Sequence, residues 1–435
     1  MNNESILNGK WTPHCPNPAL APEFRCENGE LELRSGAKGY VFGYYEKRVE
    51  ASPETYYCLE VEFAMSGVKN VLWSVLCLVE WDQGRGEGKR CAQEIMSDFS
   101  QQGETIRGRL ICRAPRNTQY AKIQLGLRYA GNAKIVFSDA TWSQTTPPKP
   151  RKVKIGVCRW NPANAGGKEG YLTQLTGLLQ SSGEAGCDLM LLPEFSDTYE
   201  WKENFLSAGP LTENIAICIA SEYAQKYKMY VVAPVIERDG DIIFNTSVLF
   251  DRDGKQIGKY RKTHLYWPEE FYWSLTPGDE YPVFELDFGV IGINTCYDSW
   301  NPDVCKLLAL KGAEIILLPN EGYDYLIMPA RALDNRVYLA ISSLANDCDI
   351  YNARGEKVGK DEGPIHTAQV DLNERVLIYP GAGGICNYSM GGRRSAHNSV
   401  SDRLYRELLD EINKWQNVNE SFIDLRTDIS GGLIR

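Results

Sequence analysis

The chain has 435 residues, 43% of them hydrophobic and 24% charged, ordinary globular values that exclude wholesale disorder and predict two or three domains. Lysine and arginine total 47 against 57 for aspartate and glutamate, a formal net charge of −10. That balance excludes a nucleic-acid binder relying on a broad basic field.

Thirteen cysteines cannot all pair within one chain, and the closest two, Cys296 and Cys305, are nine positions apart. The short C-x₂₋₄-C spacing of a zinc cluster is therefore missing, and neither metal nor cofactor is expected. The start, Met1-Asn2-Asn3-Glu4-Ser5, lacks the basic residues and apolar core of a signal peptide. The apolar run Val71 to Trp81 is interrupted by Ser74 and Glu80 and is too short for a membrane span. The expectation is a cytoplasmic protein with no membrane partner.

In chain order, residues 1–144 show short apolar runs separated by Gly, Asn and Pro: Gly39–Tyr45, Tyr57–Phe63, Val71–Val79, Gly108–Cys112, Lys122–Leu127 and Ile135–Ala140. Several alternate apolar with polar residues, and no amphipathic helix intervenes, which predicts an all-β sandwich. The layout resembles jelly-roll carbohydrate-binding modules, which makes a saccharide or protein ligand a candidate for this region. Buried core aromatics in a packing or oligomerisation module explain the same letters. Residues 145–151 carry Pro147, Pro148 and Pro150 and read as a stiff linker.

From 152 to 400 strand and helix patterns alternate, predicting an α/β domain; 401–435 reads as a C-terminal helix and tail. Strands are expected at Val153–Cys158, Asp188–Pro193, Tyr230–Val235, Ile242–Phe244, Ser247–Phe250, Val290–Asn294 and Glu314–Pro319. Helical stripes are expected on Leu172, Leu175 and Leu179, on Ile215, Ile219 and Tyr223, from Pro302 to Lys311, and on Leu404, Leu408, Ile412 and Trp415. The glycine-rich Gly84–Lys89 lacks phosphate-loop spacing and reads as a turn.

Carboxyl ends of buried strands open into the crevice of an α/β sheet, so reactive residues there are the first candidates. Glu194 follows the strand Asp188–Pro193, Cys296 ends Val290–Asn294, and Lys262 lies in the basic run Gly258–Leu265. A thiol needs a base and positive potential to act as a nucleophile. Glu194 could take its proton, Lys262 could stabilise an oxyanion, and the backbone N–H groups before the Asn301-Pro302 helix start could assist. His264 allows a Cys–His reading instead.

The words Leu-Leu-Pro-Glu-Phe at 191–195, Lys-Tyr-Arg-Lys-Thr-His-Leu at 259–265 and Asn-Thr-Cys-Tyr-Asp at 294–298 resemble, in order, the signature blocks of the carbon–nitrogen hydrolase (nitrilase) superfamily. Thr276-Pro277-Gly278, Gly312–Pro319 and Ala330–Tyr338 support the resemblance, which covers roughly residues 152–390. It implies a four-layer α/β/β/α sandwich, a homodimer or larger homo-oligomer, and a triad of Glu194 as base, Lys262 as oxyanion stabiliser and Cys296 as nucleophile. The Tyr297 backbone N–H would complete the oxyanion site. A second glutamate is implied after the lysine: Glu270 is the choice and Glu269 the competitor. Tyr266 and Trp267 are candidates for lining a substrate pocket, and His264 falls where the family has a structural histidine. Cys-Tyr-Asp, where nitrilases proper carry Cys-Trp-Glu, resembles the amidase and carbamoylase branches. An amide or N-carbamoyl amine is the implied substrate; nitrile hydrolysis, acyl transfer or a non-catalytic scaffold are the alternatives. Two departures stand out. Ser299–Asp303 replaces the family's Arg-Phe-Pro-Glu, and Asp334 replaces a glutamate.

Overall fold

Alternating buried and exposed side chains fold residues before 145 into two antiparallel sheets, seen in a computed structural model that describes residues 4–39, 41–69, 71–82, 84, 92–199, 208–374, 376–378 and 386–388. One sheet orders the strands Thr12–His14, Phe42–Glu50, Tyr120–Arg128, Val75–Asp82 and Ala92–Ile95. The other orders Glu23–Glu27, Glu30–Arg34, Lys134–Gln144, Tyr56–Ser66, Thr105–Arg113 and Asp98–Gln102. Leu59, Val61, Phe63, Ile135 and Phe137 from one sheet meet Val79, Trp81, Ile123 and Leu125 from the other in a single core. Each such side chain contributes about 1.5–3 kcal/mol by leaving water. The expected strand Val71–Val79 is corrected in its first half. Val71–Ser74 forms one helical turn, and the strand runs Val75–Asp82.

After the proline run, the strand Lys152–Val157 opens the first sheet of an α/β part, ordered Gln256–Arg261, Ile242–Phe250, Tyr230–Asp239, Leu189–Leu191, Lys152–Val157, Ile365–Asp371 and Lys360–Glu362. The second sheet of that part holds Val283–Glu285, Val290–Ile293, Ile315–Asn320, Tyr338–Ser343 and Asp349–Tyr351. Val153, Ile155, Leu189 and Leu191 pack across to Ile291, Ile293, Ile315 and Leu317. The opposite faces are covered by helices: Lys168–Glu184 and Ile215–Tyr227 on the first sheet, Pro302–Leu310 and Ile327–Asn335 on the second. The result is the four-layer α/β/β/α sandwich, preceded by an all-β sandwich.

Three local expectations change. Ile242–Phe250 is one strand, hairpinned antiparallel on Tyr230–Asp239, because Asn245 and Thr246 stay buried within it. The helix Ile215–Tyr227 buries Ala216, Ile217, Ala220 and Ala224, while Ile215, Ile219 and Tyr223 are only partly covered. Small alanines at i, i+4, i+8 let the helix lie close to its sheet. Asn301 stands at the N-cap position of Pro302–Leu310, yet its side chain makes no capping bond.

Beyond Glu374, a hairpin of Val376–Ile378 and Cys386–Tyr388 extends the first β-sandwich sheet, with Cys386 opposite Gln93. Residues 85–89 and the stripe Leu404 to Trp415 lie outside the described residues. No helix among those described is long and apolar enough to cross a membrane.

Candidate active site

The carboxyl ends of Leu189–Leu191, Val290–Ile293 and Ile315–Asn320, with the end of Gln256–Arg261, bring the site together. Glu194 lies in the turn after the first of these strands, with Phe195 in the left-handed region at φ 55°. Lys262 directly follows the edge strand and is tied by its N–H to the Asn245 carbonyl at 2.9 Å. Gly278 donates its N–H to the Lys262 carbonyl at 2.8 Å. A Cβ there would stand 2.3 Å from the Arg261 carbonyl oxygen, so the Thr-Pro-Gly block needs its glycine to back the lysine closely.

Glu194, Lys262 and Glu269 are each no more than 1% exposed. Lys262 Nζ donates to Glu194 Oε1 at 2.9 Å and to Glu269 Oε2 at 2.6 Å. The structure thus turns Glu269, not Glu270, towards the lysine. Glu270, the choice for the second-glutamate position, is exposed on the one-turn helix Trp267–Phe271, and it is the competitor Glu269 that pairs with Lys262. Successive helical residues point about 100° apart, so only one of two neighbours can face inward. Glu269 is fixed further by the Tyr266 N–H at 2.7 Å.

Sequence reasoning missed Asn245. Its Nδ2 donates to both Glu194 Oε1 and Glu269 Oε1 at 2.8 Å, holding the carboxylates on either side of the ammonium. The polar triplet Asn245-Thr246-Ser247 inside an apolar strand was the available signal. Asp298 was also unassigned. Wholly buried, it accepts from Thr295 N (2.9 Å), Tyr260 Oη (2.6 Å), Thr263 Oγ1 (3.1 Å) and His264 N (2.8 Å). It therefore clamps the lysine segment to the cysteine turn, with His264 as part of that clamp.

Cys296 begins the 3₁₀ turn Cys296–Trp300 and has φ 44°, a left-handed conformation that costs a non-glycine residue energy and often marks a functional site. Burial and the facing Glu194 hold its thiol well above the ordinary value, opposed by Lys262 and by the Glu321 backbone N–H. Burial pushes the Glu194 carboxyl up to about 7, against the pull of Lys262. Burial alone would depress Lys262, but Glu194, Cys296 and Glu269 outweigh it and keep the ammonium charged. A carboxyl near neutrality beside a protonated thiol and a fixed cation can accept and return one proton.

Tyr297 is half-exposed, its ring 5.6 Å from that of Tyr266. Trp267 stands instead against Tyr272 at 4.8 Å, and Trp273 packs edge-on to Phe195 at 6.0 Å. Cys305 is core, accepting from Asn294 Nδ2 at 3.0 Å. Arg331 donates to the carbonyls of Ser299 and Trp300, at 2.9 and 3.3 Å, steadying the turn whose usual arginine is missing. Lys259 and Arg261 both pair with buried Glu237. Among the described residues, no group of three or more His, Cys, Asp or Glu side chains converges as a metal site would require.

Two β-sheets face to face between helices, with polar side chains gathered at their strand ends, define the class as a carbon–nitrogen hydrolase fold. The sequence model of the carbon–nitrogen hydrolase family matches residues 154–376, more than half of the chain. The protein belongs to that family. It is 34% identical over 194 residues to a nitrilase of Pyrococcus abyssi, covering 43% of this chain and 72% of the relative. It is 28% identical over 211 residues to the omega-amidase NIT3 of Saccharomyces cerevisiae, covering 43% and 72%. A citrullinase of Francisella tularensis is 30% identical over 158 residues, 34% of this chain and 54% of that one. Among solved structures, that of Saccharomyces cerevisiae Nit3 aligns at 26% identity with a TM-score of 0.44, covering 51% of this chain and 90% of its own. Residues 1–153 lie outside the family match.

Proposed function

We propose that this carbon–nitrogen hydrolase is a thiol enzyme that cleaves a small amide or N-carbamoyl amine through a Cys296 thioester. The observation that carries the reading is the buried Lys262 ammonium bridging Glu194 and Glu269 beside a left-handed Cys296. Cys296 Sγ attacks the carbonyl carbon while Glu194 takes the thiol proton. Lys262 and the Tyr297 N–H stabilise the oxyanion. Glu194 returns the proton to the departing nitrogen, the C–N bond breaks, and the thioester remains. Water, losing a proton to Glu194, then releases the acid and restores the thiol. Glu269 orients Lys262 through the same ion pair and takes the second-glutamate role in this reading.

Relatives named omega-amidase, citrullinase and beta-ureidopropionase support both amide and N-carbamoyl substrates. A homo-oligomer is part of the proposal, supported by Leu307, Leu310 and Leu333, exposed on the two outer helices. The test is ammonia release across primary amides, N-carbamoyl amines and nitriles, beside Cys296→Ala. Release by the native protein that vanishes in the variant is expected; release that persists would remove Cys296 as nucleophile. An inactive native protein would favour the scaffold reading.

A further inference from the structure

Ser299 opens the stretch that departs from the family's Arg-Phe-Pro-Glu and lies three residues after the nucleophile in the turn Cys296–Trp300. It is 1% exposed, and its Oγ donates to the carbonyl oxygen of Cys296 at 2.6 Å. The bond reaches the backbone of the nucleophile itself, whose φ of 44° is left-handed. Surrounding contacts must maintain such a conformation in a residue other than glycine.

The turn around Ser299 is held from outside. The Ser299 carbonyl accepts from Arg331 Nε at 2.9 Å, and that of Trp300 from Arg331 Nη2 at 3.3 Å. Arg331 belongs to the helix Ile327–Asn335, a separate element from the turn. One residue before Ser299, Asp298 accepts from Tyr260 Oη, Thr263 Oγ1 and His264 N. The serine hydroxyl therefore joins an anchored backbone to the Cys296 carbonyl.

A peptide unit is planar and trans, so its C=O and N–H point in opposite directions. The carbonyl of Cys296 and the N–H of Tyr297 belong to one such unit. Holding the oxygen fixes the direction of the N–H, and that N–H is an oxyanion donor in the reading above. Losing the hydroxyl removes one restraint on rotation of this unit about ψ of Cys296 and φ of Tyr297. A donor stabilises developing charge best when it is aimed beforehand.

We infer that Ser299 is a positioning residue that aims the Tyr297 N–H at the oxyanion by anchoring the carbonyl of Cys296. This rests on the hydrolase reading above and adds to it a residue that acts through the backbone of the nucleophile. Its effect belongs to the transition state, where the oxygen carries charge, and not to binding of the neutral substrate.

The full-length protein, Ser299→Ala and Ser299→Thr can be compared on the best substrate of the amide and N-carbamoyl panel. Ser299→Ala should lower kcat about tenfold, short of the roughly hundredfold or more that loss of an oxyanion donor costs, and leave KM within about twofold. Ser299→Thr, which keeps the Oγ, should recover most of kcat. Two thiol reagents separate aiming from general damage. Aldehydes from propanal to hexanal add to a thiol with their oxygen in the oxyanion position, so their affinity should weaken about as much as kcat falls. Methyl methanethiosulfonate is attacked at sulfur and forms no oxyanion, so labelling of the Cys296 peptide should stay within about twofold of the native rate. An unchanged kcat in Ser299→Ala, a loss of kcat without a loss of aldehyde affinity, or a thiosulfonate rate that falls in step would overturn the inference and leave the hydrolase reading intact. Should the native protein turn over nothing in the panel, the hydrolase reading falls, and aldehyde capture decides the inference. Capture at Cys296 that weakens in Ser299→Ala and returns in Ser299→Thr supports it; equal capture by all three proteins, or none, overturns it.

Discussion

Lys262 stands between two buried carboxylates, and that arrangement governs how the site should answer pH and substitution. Burial raises the Glu194 carboxyl to about 7, and a general base must be ionised to accept a proton. Activity should therefore increase as pH rises through neutrality and fall below it, with the acid limb of kcat/KM well above the ordinary carboxylate range. A limb near pH 4 would contradict Glu194 as base. The adjacent glutamates should separate sharply. Glu269→Gln, which removes a charge paired with Lys262 at 2.6 Å, should lower kcat/KM by roughly a hundredfold or more. Glu270→Gln, an exposed change, should stay within about twofold of native, since surface changes away from the site cost little. Glu194 and Cys296 were singled out in the sequence because each closes an apolar run with a reactive side chain, and Lys262 because it lies in the basic run Gly258–Leu265. The choice between Glu269 and Glu270 was not, because it turns on the rotation of a one-turn helix that carries no periodicity. Asn245 was hidden by the expectation of two short strands where one continuous strand passes.

At the level of elements, the 3₁₀ turn Cys296–Trp300 and the segment Tyr260–His264 are joined through Asp298, which accepts from both. Asp298→Asn exchanges an acceptor oxygen for an NH₂ facing several donors. It should cost about 1–3 kcal/mol, as orphaned buried polar groups do. A lowered melting temperature together with reduced kcat checks this, whereas a native-like variant would contradict the clamp. The lesson of the helix Ile215–Tyr227 is similar. Its large apolar residues formed the obvious stripe, yet the alanine row one position on faces the sheet. Hydrophobicity alone does not register how small residues gain close approach.

For the whole molecule, the core built from Leu7 to Ala140 shares no residue with the cores built from Val153 onward. We take the proline run at 145–151, where three prolines halt regular structure, as the joint between two domains. The strand order of either part was not legible, since long-range pairing leaves no local mark. Two calorimetric transitions are expected. Leu59→Ala, at a fully buried sandwich position, should destabilise by about 2–5 kcal/mol and lower one transition only. Movement of both would contradict separate folding units.

The covalent intermediate itself offers the most direct test. The protein is mixed with an amide that it turns over, quenched in acid and digested, and the peptide carrying Cys296 is weighed. The account predicts that this peptide gains the acyl group as a thioester, that added hydroxylamine removes it, and that Cys296→Ala shows no adduct. An acyl group on another residue, or steady turnover with Cys296 never modified under conditions that trap thioesters, would contradict it.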